Sequence, residues 1–326
     1  MIYPWQQELW QQSLQYLSSN RLAHAILISG PSDIGKLDFC LSYIQRINCT
    51  KATKDSYACG TCKDCHLFLA RSHPDIRLIN IDENVEQIKV DDIREINQFM
   101  TLSRQHGAYK IICINQAERM NINAANALLK TLEEPPANSV LFLISNNASN
   151  LLATIKSRCQ IWKFNLPSKQ HASNWLQQKS ENINCDILLS VSGFRPLYAL
   201  ELYETGLGDA RTMFYQEIDK IMHHRGKVTN LSAKLQNEAL ETLVNWQQSW
   251  CSDLVRCHFG KEPVTLENPD FRRSLHSLVG RVDLQLLFRF LGKLIEFRRF
   301  SSAPLNKRLF IEDMLIQCQD ILVKPI

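Results

Sequence analysis

Short apolar runs alternate with amphipathic segments through the first half of this chain, and this pattern narrows the possible folds more than any other feature. Five of the runs are compact and read as buried strands. They span residues 24–29, 76–81, 110–115, 140–145 and 160–164. The segments with helical spacing span residues 35–47, 90–102 and 121–134. Strands that alternate with helices predict an α/β domain with a mostly parallel sheet covered on both faces, which we assign to residues 1–166.

The second half of the chain shows helical spacing without further strands. Short segments at 168–179, 185–191 and 196–203 predict a small helical domain over residues 167–206. Longer amphipathic segments predict an all-α bundle over residues 207–326. They span residues 211–223, 230–259, 271–279, 284–300 and 307–323. Three domains are compatible with a chain of 326 residues.

The composition, with 45% hydrophobic and 21% charged residues, is that of a soluble globular protein. No run approaches the roughly eighteen apolar residues of a membrane-spanning helix, and the N-terminus does not resemble a secretory signal. We therefore expect a cytoplasmic protein. The net charge of +4 permits contact with nucleic acid without requiring it.

Four of the eleven cysteines lie close together, namely Cys49, Cys59, Cys62 and Cys65. In a reducing compartment such a cluster indicates metal binding, and this spacing can surround one tetrahedral Zn²⁺. Gly60 permits the tight turn between the ligands. Since no position is left for water, the pattern favours a structural zinc module at residues 49–65. Two alternatives stay open, namely four free thiols in a polar loop, and His66 in place of one cysteine.

A phosphate-binding loop is predicted where residues 30–37 (GPSDIGKL) follow a strand and begin a helix. Gly30, Gly35 and Lys36 fit this motif, whose N–H groups and lysine hold phosphates. Leu37 does not fit it, because a Ser or Thr hydroxyl is required there to bind Mg²⁺.

The second half of such a site is an Asp, usually followed by Glu, after an apolar strand. Here the strand ends in Asn115 and Gln116. A neutral amide cannot balance the charge of Mg²⁺ or take a proton from the attacking water. Three required groups are therefore replaced in one site, which predicts that the chain does not hydrolyse nucleotide. Residual nucleotide binding through Lys36 stays open.

Two further motifs are informative. Residues 126–136 read NALLKTLEEPP, and residues 151–159 read LLATIKSRC, which ends in Ser157, Arg158 and Cys159. Together with the loop and the cysteine cluster, these residues resemble the clamp-loader branch of the AAA+ ATPases over about residues 21–165. The resemblance implies an AAA+ (RecA-like) sheet domain with a zinc module, a small helical lid domain and a C-terminal helical collar domain.

The resemblance also implies a function. A clamp-loader subunit helps to place a sliding clamp on primed DNA during replication, so the implied partners are other loader subunits (delta and gamma/tau), the clamp and primer–template DNA. Because Leu37, Asn115 and Gln116 replace the required groups, we do not expect this chain to be a motor subunit. Motor subunits keep the hydroxyl and the acidic pair, so productive ATP binding is not expected.

Arg158 is the main candidate for a role at a subunit interface. The family's Ser-Arg-Cys motif carries an arginine finger, which reaches the γ-phosphate of ATP bound by a neighbour. The alternative is an ordinary surface ion pair. Arg195 lies near the usual second sensor, but Gly193-Phe194-Arg195-Pro196 departs from that pattern.

Two other functions stay open. The first is an active motor ATPase of the same family. ATP turnover by the isolated chain would support it. The second is a zinc-dependent nucleic-acid-binding protein, which would bind DNA alone in a salt-sensitive and zinc-dependent manner.

Overall fold

Five parallel strands form one sheet in the order β2-β3-β4-β1-β5. The strands are β1 (Ala25–Ser29), β2 (Ile76–Ile79), β3 (Lys110–Ile114), β4 (Ser139–Ser145) and β5 (Gln160–Lys163). Every residue of β3 and β4 is buried, as expected for central strands of a sheet covered on both faces. The predicted parallel sheet and α/β fold class are therefore confirmed.

The computed structural model describes residues 2–53, 57–81, 87–179, 184–236, 238–260, 264–300 and 306–323. The chain divides into two units, Met1–Trp175 and Leu176–Ile326. The predicted division into three domains, 1–166, 167–206 and 207–326, stays a prediction. No described helix is long and apolar enough to cross a membrane.

Helices surround the sheet of the first unit. They are α1 (Gln7–Ser18), α2 (Lys36–Ile47), α3 (Lys63–Leu69), α4 (Val90–Thr101), α5 (Ile122–Glu133), α6 (Ala153–Lys156) and α7 (Lys169–Gln177), which continues past the boundary of the unit. Short 3₁₀ turns lie at Pro4–Gln6, Ala117–Arg119 and Ala148–Asn150. Helices α1, α3 and α6 were not predicted from the sequence.

Two hydrophobic cores lie on the two faces of this sheet, because successive side chains of a strand point to opposite faces. In β3, Ile112 and Ile114 pack in the core that contains residues of α4 and α5. Ile111 and Cys113 pack in the other core, with residues of α1 and α2. Each face of the sheet is therefore covered by helices.

Helix α5 begins and ends where its sequence requires. Asn121 caps its start, since the side-chain oxygen accepts a hydrogen bond from Ala124 N at 2.8 Å. Such a cap contributes about 1 kcal/mol. The helix ends at Glu133, just before Pro135 and Pro136, which have no N–H to continue it.

The described residues of the second unit form mainly helices. They are α8 (Cys185–Val191), α9 (Pro196–Glu204), α10 (Leu207–Met222), α11 (Val228–Lys234), α12 (Leu240–Phe259), α13 (Arg272–Val279), α14 (Leu284–Phe300) and α15 (Lys307–Gln319), with a 3₁₀ turn at Pro269–Phe271. The prediction of one continuous helical stretch over residues 230–259 was wrong. Helix α11 ends at Lys234, and α12 begins only after Ala239, whose backbone is extended.

A buried arginine lies in the second unit. Arg211 on α10 is 2% exposed, and its guanidinium donates to Asp270 at 2.8 and 3.0 Å and to Asn268 at 2.6 Å. It also lies 4.7 Å from the ring centre of Tyr215. The carboxylate balances the buried charge, as a buried arginine requires.

Candidate functional site

Four loops follow the carboxyl ends of neighbouring strands. Because the strands are parallel, these ends meet at one edge of the sheet, where α/β proteins bind ligands. The edge carries Asn80 after β2, Asn115 and Gln116 after β3, Asn146 after β4, and the loop 30–35 after β1. The fold therefore gathers the predicted phosphate loop and the predicted Mg²⁺ positions at the same edge.

Lys36 lies at the start of α2 with only 4% of its surface exposed. Its Nζ donates to Asn146 Oδ1 at 2.7 Å and to the carbonyl of Pro31. Burial lowers the pKa of Lys36 from its usual 10.5 to about 8, although Asp33 and Glu118 oppose this shift. The ammonium group that would bind a phosphate is held by acceptors of the protein itself.

The N-terminal segment Tyr3–Gln6 packs on the predicted phosphate loop. Gln6 Nε2 donates to the carbonyl oxygens of Ile34 and Gly35 at 2.9 and 2.8 Å, and Trp5 Nε1 donates to Ile34 O at 3.0 Å. The rings of Tyr3 and Trp5 stack with their centres 5.0 Å apart. This contact was not predicted from the sequence, although Tyr3 and Trp5 lie close together in it.

The packing around Gly30 and Leu37 explains the residue types at these two positions. A Cβ on Gly30 would lie 2.2 Å from the carbonyl oxygen of Phe164, so only glycine fits beside the end of β5. Leu37 packs against the core on the α2 side of the sheet. An apolar side chain therefore packs at the position where an active phosphate-binding loop has a Mg²⁺ ligand.

The two amides after β3 are engaged with the end of β2. Asn115 Nδ2 donates to Asn80 O at 3.0 Å, and Asn80 Nδ2 donates to Asn115 O at 3.2 Å. Gln116 Oε1 accepts from Asn80 Nδ2 at 3.5 Å, and Gln116 has the left-handed φ of 53°. These neutral groups link two adjacent loops and supply no charge for a metal ion.

Glu118 and Asn146 were not identified from the sequence. Glu118 Oε1 accepts a hydrogen bond from Asn146 N at 3.0 Å, while the buried Oε2 has no partner among the described residues. Asn146 thereby connects this carboxylate to the ammonium group of Lys36. Neither residue belongs to a recognisable local motif, so only the folded chain brings them to the loop.

The four predicted zinc ligands come together in the first unit. The sulfur atoms of Cys49, Cys59, Cys62 and Cys65 all lie within 4.8 Å of one another. The Sγ atoms of Cys59 and Cys65 are 3.9 Å apart, and those of Cys62 and Cys49 are 4.0 Å apart. A tetrahedral zinc with Zn–S bonds of about 2.3 Å separates its sulfurs by about 3.8 Å. The cluster therefore fits a metal such as zinc.

Backbone groups support these thiols. Cys59 N donates to Cys49 Sγ and Cys62 N to Cys59 Sγ, each at 3.3 Å. Gly60 makes the turn with a φ of 72°. Hydrogen bonds from Thr61 lower the pKa of the Cys59 thiol to about 6, whereas burial raises that of Cys65 to about 12.

His66 is exposed and is not a member of this cluster among the described residues. Residues 54–56, inside the predicted module 49–65, lie outside the described residues.

Arg158 follows α6 and is 35% exposed at its side chain. Its Nη2 forms an ion pair with Glu133 Oε1 at 2.8 Å, and its Nη1 donates to Thr154 O at 2.9 Å and to Ser157 Oγ at 3.3 Å. Burial raises the pKa of the neighbouring Cys159 thiol to about 11. Of the three motif residues, Cys159 packs against the core, while Ser157 and Arg158 face outward.

Arg195 belongs to the second unit, where it precedes α9. Its Nε donates to Ser192 O at 2.7 Å, and its guanidinium lies 4.7 Å from the ring centre of Tyr198. Both of these contacts are with residues within three positions of Arg195 in the sequence.

Comparisons with known proteins cover nearly the whole chain. The family model "DNA polymerase III, delta subunit" matches residues 5–168, and "DNA polymerase III, delta subunit, C terminal" matches residues 206–320. DNA polymerase III subunit delta′ of Pseudomonas aeruginosa is 32% identical, over 97% of each chain. That of Haemophilus influenzae is 34% identical, over 78% of this chain and 77% of its own. A solved gamma-subunit-related protein from Thermotoga maritima aligns with 95% of this chain and 99% of its own, at 20% identity and a TM-score of 0.49.

Proposed function

This chain belongs to the DNA polymerase III delta′ subunit family, and on that basis we propose that it is a non-hydrolysing stator subunit of the clamp loader. It supplies Arg158 as an arginine finger to the ATP site of a neighbouring subunit and helps to load the sliding clamp on primed DNA. It has no catalytic activity of its own and is part of the DNA-directed DNA polymerase assembly. Family membership confirms the resemblance to the clamp-loader branch of the AAA+ ATPases.

The state of the phosphate loop carries this proposal. The position after Lys36 has no hydroxyl, and the positions after β3 carry amides in place of carboxylates. Lys36 Nζ is bound to Asn146 Oδ1 at 2.7 Å, and the side chain of Gln6 is bound to the loop carbonyls. A site without Mg²⁺ ligands, whose lysine is already engaged, supports a role that does not include hydrolysis.

The position of Arg158 supports its action across an interface. The residue lies beyond the end of α6 with a third of its side chain exposed, so a neighbouring subunit has access to it. A guanidinium remains charged at all physiological pH values and binds phosphate with several N–H donors at once. These properties suit the stabilisation of charge on a transferring γ-phosphate.

The cysteine cluster is proposed to hold one structural zinc ion. Four thiolates complete a tetrahedral site, so no coordination position is left for substrate or water. Bound zinc would stabilise the turn around Gly60 and the start of α3, since Cys62 and Cys65 lie at that helix.

The partners and domain roles follow from family membership as proposals. The chain assembles with the delta and gamma/tau subunits and meets the clamp and primer–template DNA through that complex, in the cytoplasm. Residues 1–166 form the AAA+ domain, 167–206 the lid and 207–326 the collar.

Complexes assembled with Arg158→Ala test this function. The measurement is DNA- and clamp-stimulated ATP hydrolysis together with clamp loading. We expect normal assembly and the loss of one site's share of hydrolysis, because an arginine finger supplies roughly 10³–10⁵ in rate at its site. Arg158→Lys should restore little, since an ammonium lacks the planar fork. Lys156→Ala, which removes another cation two residues away, is the control.

Two results would overturn the proposal. Full activity of an intact complex that carries Arg158→Ala would reduce Arg158 to a surface ion pair. ATP turnover by the purified chain alone would instead favour an active motor subunit.

A further inference from the structure

The ion pair between Glu133 and Arg158 joins the ends of two helices. Glu133 is the last residue of α5, and Arg158 lies two residues beyond α6. The carboxylate binds Nη2 at 2.8 Å, while Thr154 O and Ser157 Oγ bind Nη1. The guanidinium is therefore held from two directions, by α5 on one side and by the end of α6 on the other.

Helix stability does not explain why an acid occupies position 133. The carbonyl groups at a helix C-terminus carry partial negative charge, which favours lysine, arginine or histidine there and disfavours carboxylates. Here Glu133 ends α5 and Glu134 follows it. The cation beside Glu133 offsets this unfavourable position.

Stability also gains little from the pair itself. The side chains of Glu133 and Arg158 are 51% and 35% exposed, and solvent screens such contacts. The larger effect is on conformation, because a free arginine side chain samples many rotamers and loses that freedom when it is anchored. The contact thus sets the orientation of the guanidinium.

The anchored guanidinium can still bind a phosphate. A guanidinium has more N–H groups than it needs for its contacts with Glu133, Thr154 and Ser157. Its side chain also keeps about a third of its surface exposed. An anchored but accessible cation is preorganised for a ligand that arrives from outside the chain.

We propose that Glu133 is a positioning residue for Arg158: it holds the guanidinium in the orientation from which it reaches the terminal phosphate of a nucleoside triphosphate bound by the neighbouring subunit. This inference rests on the proposed function of Arg158. Glu133 itself touches neither nucleotide nor metal, and it acts through the arginine alone.

The test uses assembled clamp-loader complexes that carry Glu133→Gln, with Glu134→Gln as the matched control. Glutamine keeps the size of the side chain and removes the charge that holds Arg158. We expect kcat at the Arg158-dependent site to fall roughly tenfold, less than the roughly 100-fold that a 1 Å misplacement can cost. The KM for ATP should not change, because the contact acts in the transition state. Glu134→Gln should match the wild type.

A double variant distinguishes positioning from a separate effect. In complexes that already carry Arg158→Ala, Glu133→Gln should lower kcat no further, since its target is gone. A further loss in that background would overturn the inference. Should Glu133→Gln assemble poorly, Glu133→Asp carries the same test: it keeps the charge, withdraws it by one methylene, and should give an intermediate kcat.

Wild-type activity of Glu133→Gln, alongside impaired Arg158→Ala, would refute the positioning role and leave the arginine finger standing. Wild-type activity of Arg158→Ala would refute both.

Discussion

The ring of Tyr3 packs so closely on Gly35 that a Cβ at Gly35 would lie 2.3 Å from Tyr3 Cε2. Gly35 also has the left-handed φ of 80°. Tyr3 is fixed in this place by a hydrogen bond from its hydroxyl to Asp38 Oδ2 at 2.9 Å and by its stacking on Trp5. The N-terminal segment and the predicted phosphate loop are therefore packed against each other.

Gly35→Ala should destabilise the chain for two reasons. The left-handed conformation costs a non-glycine residue about 1–3 kcal/mol, and the collision with Tyr3 adds an overpacking cost of about 1–3 kcal/mol. The measurement is the free energy of unfolding in urea. Gly206→Ala is the control, because Gly206 also starts a helix with a φ of 70° but has open space around it. Equal losses in both variants would show that Tyr3 exerts no steric constraint.

Lys36 should make stability depend on pH in the alkaline range. Its pKa is lowered from 10.5 to about 8 in the folded chain, so the unfolded chain binds more protons between these values. The contribution of Lys36 to the free energy of unfolding therefore rises by up to roughly 3 kcal/mol as the pH increases from about 8 to about 10.5. Lys36→Met should lack this rise, whereas the exposed-site variant Lys130→Met should retain it. Parallel stability curves for Lys36→Met and wild type would contradict the prediction.

Freshly purified protein should contain one zinc ion per chain. Replacement of a buried ligand by Cys62→Ser should lower the metal content and the thermal stability, because bound zinc contributes to folding. Cys257→Ser, outside the cluster, should retain the metal. Metal analysis in chelator-free buffer decides the matter, and a zinc content near zero in the wild type would refute the site.

Restoring the missing groups should restore Mg·ATP binding in part. The variant combines Leu37→Thr, Asn115→Asp and Gln116→Glu, which return the hydroxyl and both carboxylates to the edge of the sheet. Titration with a fluorescent ATP analogue, with and without Mg²⁺, measures the effect. We expect Mg²⁺-dependent binding in the variant and none in the wild type. Mg²⁺-dependent binding by the unmodified chain would contradict our account of the loop.

Much of this protein was determined by local sequence patterns. The strands β3 and β4 are continuous apolar runs because both of their faces are buried, and such runs are visible without a structure. The cluster of four cysteines was predicted because three of them lie within seven residues, from Cys59 to Cys65. The losses at Leu37 and Asn115 were equally visible, since each stands at a fixed place in a motif.

Other features depended on contacts between residues that are distant in the sequence. Lys36 and Asn146 are 110 positions apart, and no local pattern pairs them. The same holds for Tyr3 over Gly35 and for Glu133 beside Arg158, where side chains from separate elements meet. Periodicity also failed at residues 230–259, because it reports which face of a helix is buried but not where the chain turns between two helices. The sequence alone determines which chemical groups this chain possesses and lacks, whereas the packing of the sheet and its helices decides which of those groups can act together.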